Sequence, residues 1–302
     1  MKISSLYSSI LKGTWAIEPQ FMLSFSPIVT NLFHRDFDIS SLEKSNEDES
    51  IYIKVFSPEG NQVIIKAESL NKKGTSIFED APKGSTAIIP LKGVMLKEDT
   101  YCDYGTNTIS SIMLEAVSSE NINSIILDID SGGGSVDAIS PMVFAIQKSQ
   151  AAGKPVLALA DMAASAAYYV ASFTDHIMAS NNISSSFGSI GVMISFQDVQ
   201  PYYEKLGVKF HNVYAPESNY KHKAFNLMLK GKYEEIQKES LSPLARGFQK
   251  NVRKNRNGKI NLTVPGILNG RMFFAEKAKA FGLIDTIGNI DLALEKIHQM
   301  SN

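Results

Sequence analysis

The 302-residue sequence contains a single cysteine, Cys102. One cysteine cannot close an intramolecular disulfide, and without a C-x-x-C pair the usual structural zinc sites are excluded. This composition leads us to expect a reducing, cytoplasmic location.

Long apolar runs and an excess of either charge are also missing. No stretch of 18 uninterrupted apolar residues occurs, and residues 1–33 are interrupted by Glu18, Pro19, Gln20 and Pro27. A spanning helix requires such a stretch, so we expect no stable membrane insertion. Thirty basic and 31 acidic residues give a net charge of -1. A nucleic-acid partner is therefore not expected, because its phosphates attract a concentrated positive charge.

A hydrophobic content of 44% is ample for a buried core, and the pattern divides the chain in two. Residues 1–85 are predicted to form an N-terminal region with helices, an acidic serine-rich linker at 36–50, and a β-hairpin at 51–65 that turns at 58–61. Residues 86–302 are predicted to form the main domain.

The main domain has the alternating pattern of an α/β fold. Buried strands and helices follow one another at 87–95, 108–117, 124–129, 138–152, 155–160 and 166–172. This alternation indicates parallel strands joined by right-handed crossovers. Further along the chain the pattern predicts strands at 177–179 and 191–195, a helix at 201–206, and a helix pair within 225–256 split near Pro243.

A glycine-rich turn, D-S-G-G-G-S at residues 130–135, follows one of the buried strands. Its uncovered backbone N–H groups could cradle a phosphate, but neither of the usual phosphate-binding motifs is spelled out. A tight turn without chemistry is an equally good interpretation. The third interpretation is an oxyanion hole, which requires a nucleophile nearby.

Ser165 could supply that nucleophile. It lies in D-M-A-A-S-A-A-Y-Y-V-A-S at residues 161–172, among small residues and directly after another buried strand. A serine at a strand-to-helix turn exposes its hydroxyl above the sheet, and small neighbours allow a polypeptide to approach. The alternative is a serine that merely caps a closely packed helix.

A nucleophilic serine needs a general base, usually histidine or lysine. The sequence contains no G-x-S-x-G motif, and none of its five histidines stands in a clear catalytic context: His34, His176, His211, His222 and His298. A lysine can serve if burial removes its charge. Candidates lie in N-Y-K-H-K at residues 219–223, where a solvated loop is the alternative interpretation.

These segments together resemble the signal peptide peptidase A family of serine-lysine peptidases. The resemblance rests on D-S-G-G-G-S-V, the Ser165 segment, F-G-S-I-G-V and G-R-M-F-F-A-E-K-A-K-A-F-G-L-I-D-T-I-G, which occur in the family's order within residues 86–294. It implies an α/β fold of the Clp protease/crotonase type, built from stacked β-β-α units. It also implies assembly into a homo-oligomeric ring or dome, a polypeptide substrate, and no cofactor or metal ion.

The resemblance also implies roles for individual residues. Ser165 corresponds to the nucleophile, and Gly133 and Ala166 correspond to the backbone donors of the oxyanion hole. Ser189 corresponds to the hydroxyl that orients the lysine amine. The lysine motif fits the chain in two ways, with Lys221 favoured as the base and Lys223 as the alternate.

Two features bear on the branch of the family. Gly132 replaces the proline that is usual in the glycine turn. W-A-I-E-P near the N-terminus resembles phage and prophage members that process scaffold or capsid protein during head assembly, and the hydrophobic N-terminal segment of the membrane-anchored members is missing. We therefore expect a phage-type peptidase that binds extended chains by strand addition in a groove with small side-chain pockets.

Three other functions share parts of this pattern. A crotonase-like acyl-CoA enzyme would use the same oxyanion hole without a serine-lysine pair. A Clp-type Ser-His-Asp peptidase would need a histidine after the serine helix, where this sequence has S-S-F-G-S-I-G. An inactive, assembly-only member would keep the fold without the chemistry.

Overall fold

A computed structural model describes residues 15–17, 51–67, 76–100, 104–196, 198 and 200–301 of the protein. Of the region before residue 33 that is predicted to be helical, only Trp15–Ile17 are described, and they form a strand, so the helical prediction is wrong there. The rest of that region and the acidic linker at 36–50 lie outside the described residues. In the described part, no helix is both long and apolar enough to cross a bilayer.

A single large sheet forms the centre of the molecule. The hairpin of β2 (Ile51–Phe56) and β3 (Gln62–Ala67) joins it through β4 (Ser85–Lys92), which β2 meets in antiparallel fashion. On its other side β4 pairs in parallel with β5 (Ile122–Ser131), and β5 pairs in parallel with β7 (Val156–Ala164). The predicted hairpin is therefore confirmed, and it extends the main sheet. The division of the chain at residue 85 stays a prediction.

Helices cover both faces of the parallel strands. Helices α1 (Thr106–Ser118) and α2 (Ile139–Ala151) pack on one face, and α9 (Ile290–Ser301) packs on the other. β5 reads I-N-S-I-I-L-D-I-D-S, with a run of buried apolar residues at its centre. Such continuous runs are typical of strands that are buried on both faces of a sheet.

Two successive β-β-α units can be followed along the chain. After β4 the chain forms a parallel bridge between Met95 and Gly134 before it enters α1. After β5 it forms the short β6 (Gly133–Ser135) before it enters α2. A second, small sheet consists of β6 and β1 (Trp15–Ile17). The predicted fold class, α/β with the stacked β-β-α units of the Clp protease/crotonase type, is confirmed.

Beyond β7 the sheet divides into two branches. β8 (His176–Ala179) pairs with the first half of β7, and β9 (Ser186–Gly188) pairs with its last three residues. β10 (Met272–Phe274) then runs antiparallel to β9, and β11 (Thr286–Ile287) runs parallel to β8.

The strand predicted at 191–195 is wrong. The strand lies earlier, at β9, and residues 191–195 contribute only an isolated bridge from Met193 to Trp15. Gly188 has a φ of 134° and Ser189 a φ of 52°, and these positive values turn the chain out of the sheet before the apolar residues begin.

The C-terminal third is mainly helical. Its helices are α4 (Gln200–Lys205), α5 (Lys223–Met228), α6 (Glu234–Ile236), α7 (Ser242–Asn255) and α8 (Ala275–Ala280). The predicted split near Pro243 is wrong, because a π-helical turn at Gln237–Leu241 joins α6 directly to α7. Pro243 lies in the first turn of α7, where its missing N–H costs no hydrogen bond. The interruption lies earlier, near Gly231, whose φ is 70°.

Candidate active site

Ser165 occupies a single-residue turn between β7 and α3 (Ala166–Ala171). Its φ of 53° and ψ of -116° lie outside the regions that residues other than glycine ordinarily adopt. Such a conformation costs of order 1–3 kcal/mol and persists only where the surrounding structure enforces it. The sequence predicts this strand-to-helix turn, and the structure adds that its backbone is strained.

The Ser165 hydroxyl does not cap the helix. The side chain makes no hydrogen bond to the first turn of α3, so the capping interpretation of this serine is wrong. Its Oγ instead donates to the carbonyl oxygen of Gly191 at 3.3 Å, a long hydrogen bond. The side chain is 1% exposed.

Gly133 and Ala166, the two candidate oxyanion donors, lie close together. Gly133 has a φ of 95°, and a β-carbon on it would lie 2.9 Å from the Ala166 nitrogen and 2.9 Å from the Ala164 oxygen. The glycine turn therefore touches the turn that holds Ser165. Gly133 is required here because any side chain would collide with this backbone. In this structure the Gly133 N–H donates to the Ser131 hydroxyl at 3.1 Å.

Ser189 and its motif hold the other side of Ser165. The Ser165 N–H donates to the Gly188 oxygen at 2.9 Å, and the Ser189 N–H donates to the Arg271 oxygen at 3.1 Å. Ser189 is 6% exposed, and its hydroxyl makes no hydrogen bond to the described residues. The glycine turn and the Ser189 segment therefore both meet the Ser165 turn, and the fourth segment of the family resemblance pairs with the Ser189 segment.

The two candidate lysines lie in and beside the loop before α5. Lys221 has an exposed side chain, and within the described ranges its amine forms no hydrogen bond or ion pair. Lys223 binds Glu235, with 2.8 Å between Nζ and Oε1, and its ammonium lies 4.3 Å from the centre of the Tyr220 ring. The hydrogen bond to Glu235 raises the pKa of the Lys223 amine. Neither amine is a hydrogen-bond partner of Ser165 Oγ in this single chain.

The histidines in the described part of the chain either have hydrogen-bond partners other than Ser165 or are exposed. His176 begins β8, and its Nε2 is 2.8 Å from the Thr286 hydroxyl, while burial lowers the pKa of its ring. His298 Nε2 lies 3.3 Å from the Thr86 hydroxyl, and His211 and His222 are exposed. His34 lies outside the described residues. Of the four that are described, none is a hydrogen-bond partner of Ser165.

An apolar cavity of about 520 Å³ adjoins this arrangement. It lies between α2, α3 and α7 and reaches β1. Side chains from these elements and from the segment after Ser189 line it, including Ala16, Val136, Phe144, Tyr169, Val192 and Phe248. Val136 directly follows the glycine turn, and Val192 directly follows Gly191. The cavity is therefore lined by neighbours in the chain of the glycine turn and of Gly191, whereas Ser165 itself does not line it.

The sequence model of peptidase family S49 matches residues 148–302, about half of the chain. The chain belongs to peptidase family S49. The matched residues include Ser165, Ser189 and both candidate lysines, whereas the glycine turn precedes them. The predicted family is thus confirmed as peptidase family S49, whereas the phage-type branch stays a prediction.

Three curated relatives agree with this assignment. A protein of Methanocaldococcus jannaschii is 30% identical over 184 residues, 61% of this chain and 58% of that protein. Protease 4 of Salmonella typhi is 28% identical over 226 residues, 72% of this chain and 35% of its own length. Serine protease SPPA, chloroplastic, of Arabidopsis thaliana is 27% identical over 203 residues, 66% of this chain and 29% of its own. The matched region of the chain thus spans 29% to 58% of the length of these relatives.

The sequence does not predict the position of β1. In the sequence, W-A-I-E-P is only a marker of the phage-type branch. In the structure, Trp15–Ile17 pair with the glycine turn itself. Three consecutive apolar residues form too short a pattern to predict a strand, and the partner strand lies more than a hundred residues away.

Proposed function

We propose that this chain is a serine endopeptidase in which Ser165 is the nucleophile. The observation that supports it best is that the glycine turn and the Ser189 segment both meet this one strained serine, while the fourth motif segment pairs with the Ser189 segment. Membership of peptidase family S49 and the names of the curated relatives, which include protease 4 and a serine protease, point to the same chemistry.

The backbone N–H groups of Gly133 and Ala166 form the oxyanion hole in this proposal. Their closeness to each other and to Ser165 supports that role, since donors must stand where the carbonyl oxygen gains charge. The Gly133 N–H must first release the Ser131 hydroxyl that it now binds.

Lys221 is the proposed base and Lys223 the alternate, with Ser189 orienting the amine. A neutral amine takes the proton of Ser165 Oγ, and the oxygen then attacks the peptide carbonyl. The same amine protonates the leaving nitrogen, and water hydrolyses the acyl-enzyme. Because neither lysine contacts Ser165 within the single chain, we place the completion of this pair in the assembled homo-oligomer, a ring or dome.

The substrate in this proposal is an extended polypeptide, bound by strand addition beside the glycine turn. The apolar cavity next to that turn could accept a side chain of the substrate. W-A-I-E-P supports the phage-type branch, so we propose scaffold or capsid protein as the substrate. The single cysteine supports a reducing compartment, so we propose the cytoplasm as the location.

The experiment is active-site labelling with a fluorophosphonate, followed by mass spectrometry of the modified peptide. We expect the label on Ser165 in the assembled wild-type protein. Ser165→Ala should abolish labelling and peptide hydrolysis. Ser172→Ala is the matched control, because this buried serine donates to the Tyr169 oxygen at 2.7 Å and has no role in the chemistry.

The other outcomes separate the alternative functions. A folded, assembled protein that takes no label would support the assembly-only function, which the ion pair between Lys223 and Glu235 favours. Acyl-CoA chemistry that survives Ser165→Ala would identify the crotonase-like enzyme. Label on a different serine would contradict the proposed nucleophile.

A further inference from the structure

Strand β1 lies in the middle of the proposed substrate groove. It pairs antiparallel with β6, placing Trp15 opposite Ser135, Ala16 opposite Gly134 and Ile17 opposite Gly133. On its other side Trp15 exchanges two backbone hydrogen bonds with Met193, of 3.0 and 2.9 Å. β1 thus joins the glycine turn to the segment that follows Ser189 and Gly191.

The three residues of β1 are almost completely covered. Trp15 is 7% exposed, Ala16 0% and Ile17 5%. Strand pairing on both sides and burial of two large side chains hold the segment in place.

The backbone of Ala16 stands at the proposed oxyanion hole. Its carbonyl oxygen would collide with a β-carbon on Gly133, and the Ala166 nitrogen lies 2.9 Å from the position of that β-carbon. A peptide carbonyl of β1 therefore lies against Gly133, on the side where Gly133 faces the Ser165 turn. A second polypeptide cannot enter the same space while β1 is there.

We propose that β1 is an internal inhibitor, a strand of the protein's own chain that fills the substrate groove and must leave before a polypeptide can bind. This inference rests on the proposed peptidase function. Because β1 is covalently attached, it competes at a high effective concentration. The apparent affinity for substrate is reduced by the fraction of molecules in which the groove is open.

The sequence supplies a direct probe of this movement, since Trp15 is the only tryptophan of the chain. The experiment titrates the assembled full chain with a peptide aldehyde directed at serine peptidases and follows tryptophan emission. We expect the emission to move to longer wavelength and acrylamide quenching to increase at least about twofold with saturation, as β1 leaves its buried site.

Two variants test the same inference through binding. Trp15→Asp should release β1 and tighten aldehyde binding roughly tenfold, because the internal competitor is lost. Ile64→Asp makes the same kind of change at a side chain of β3 that is 57% exposed, and it should leave binding unchanged. A synthetic peptide of residues 12–20 should inhibit the Trp15→Asp variant. Thermal unfolding of each variant identifies any that fails to fold, and the wild-type titration needs no substitution.

The results separate the inference from the function on which it rests. If the aldehyde binds at Ser165 while the Trp15 emission stays unchanged and Trp15→Asp binds no more tightly, β1 is not an inhibitor although the peptidase function stands. If neither the wild type nor any variant reacts at Ser165 with aldehyde or fluorophosphonate, the proposed function itself fails.

Discussion

The ammonium of Lys223 lies 2.8 Å from the carboxylate of Glu235. A lysine can act as a general base only in its neutral form, and this hydrogen bond raises the pKa of the amine. In the single chain, Lys223 is therefore held in the form that cannot accept a proton.

Glu235→Gln distinguishes the two candidate bases. If Lys223 is the base, loss of the carboxylate lowers the pKa of its amine, and the alkaline rise of kcat/KM moves to lower pH. If Lys221 is the base, the pH profile stays where it is. The measurement is the pH dependence of peptide hydrolysis, and Glu234→Gln controls for the change in net charge. A profile that does not rise toward alkaline pH in any variant would argue against both lysines.

Gly133→Ala should lower kcat strongly through a backbone collision. The added β-carbon would meet the oxygens of Ala16 and Ala164 and the Ala166 nitrogen, and the φ of 95° is unfavourable for alanine. Displacing one oxyanion donor costs about 100-fold to 1,000-fold in kcat.

Gly153→Ala is the control for that substitution. Gly153 has a φ of 74° but open space around its would-be β-carbon, so the change should cost about 1 kcal/mol of stability and leave the rate unchanged. Peptide hydrolysis and thermal unfolding measure both effects. Equal losses of activity in the two variants would show that backbone strain, and not the oxyanion hole, is responsible.

Ser189→Ala tests whether this hydroxyl positions the lysine. We expect kcat to fall roughly tenfold with little change in KM, since a hydrogen bond to the amine would be lost but no substrate contact. The rate of fluorophosphonate labelling should fall by the same factor, and the unfolding midpoint should stay constant. Ser186→Ala, in the neighbouring strand β9, is the control. A change in KM alone would instead make Ser189 a substrate-binding residue.

Asp285 should dominate the acid sensitivity of the fold. Its carboxylate accepts two hydrogen bonds of 2.9 Å from the buried Arg256 and one of 2.7 Å from Lys259. Burial alone would raise the pKa of this carboxyl, but these partners hold it well below its usual value of about 3.9. A depressed pKa in the folded state contributes stability above the unfolded value, and that stability is lost as the pH falls.

We therefore expect wild-type stability to decline below about pH 4 and Asp285→Asn to flatten that decline. At neutral pH the substitution should cost about 3–5 kcal/mol, because it leaves Arg256 buried and unpaired. Asp128→Asn removes an exposed ion pair, in which the side chain of Asp128 is 38% exposed and that of Lys92 is 41% exposed. This substitution should lower the free energy of unfolding by no more than about 1 kcal/mol. Urea denaturation at several pH values measures both. Equal costs for the two variants would contradict this assignment.

Much of the α/β core could be predicted, because its apolar residues recur with the spacing of the strand or helix that they form and are buried in the structure. The apolar run at 124–129 and the helical periodicity at 138–152 correspond to β5 and α2 with small shifts at the ends. The wrong predictions of secondary structure fall where the pattern was short or ambiguous. The apolar residues 191–195 follow a backbone turn instead of forming a strand, and Pro243 begins a helix instead of dividing one.

The type of chemistry can be inferred from the amino-acid sequence alone, because motif order and residue type at Ser165, Gly133 and Ser189 are local properties of the chain. The sequence could not choose between a nucleophile and a helix cap, which differ only in backbone conformation and hydrogen bonding. The folded structure was needed to show that the serine is strained and uncapped, that Lys223 is paired with Glu235, and that β1 lies against the glycine turn. Each of these features depends on how separate elements of the chain pack together, and no local pattern encodes that packing.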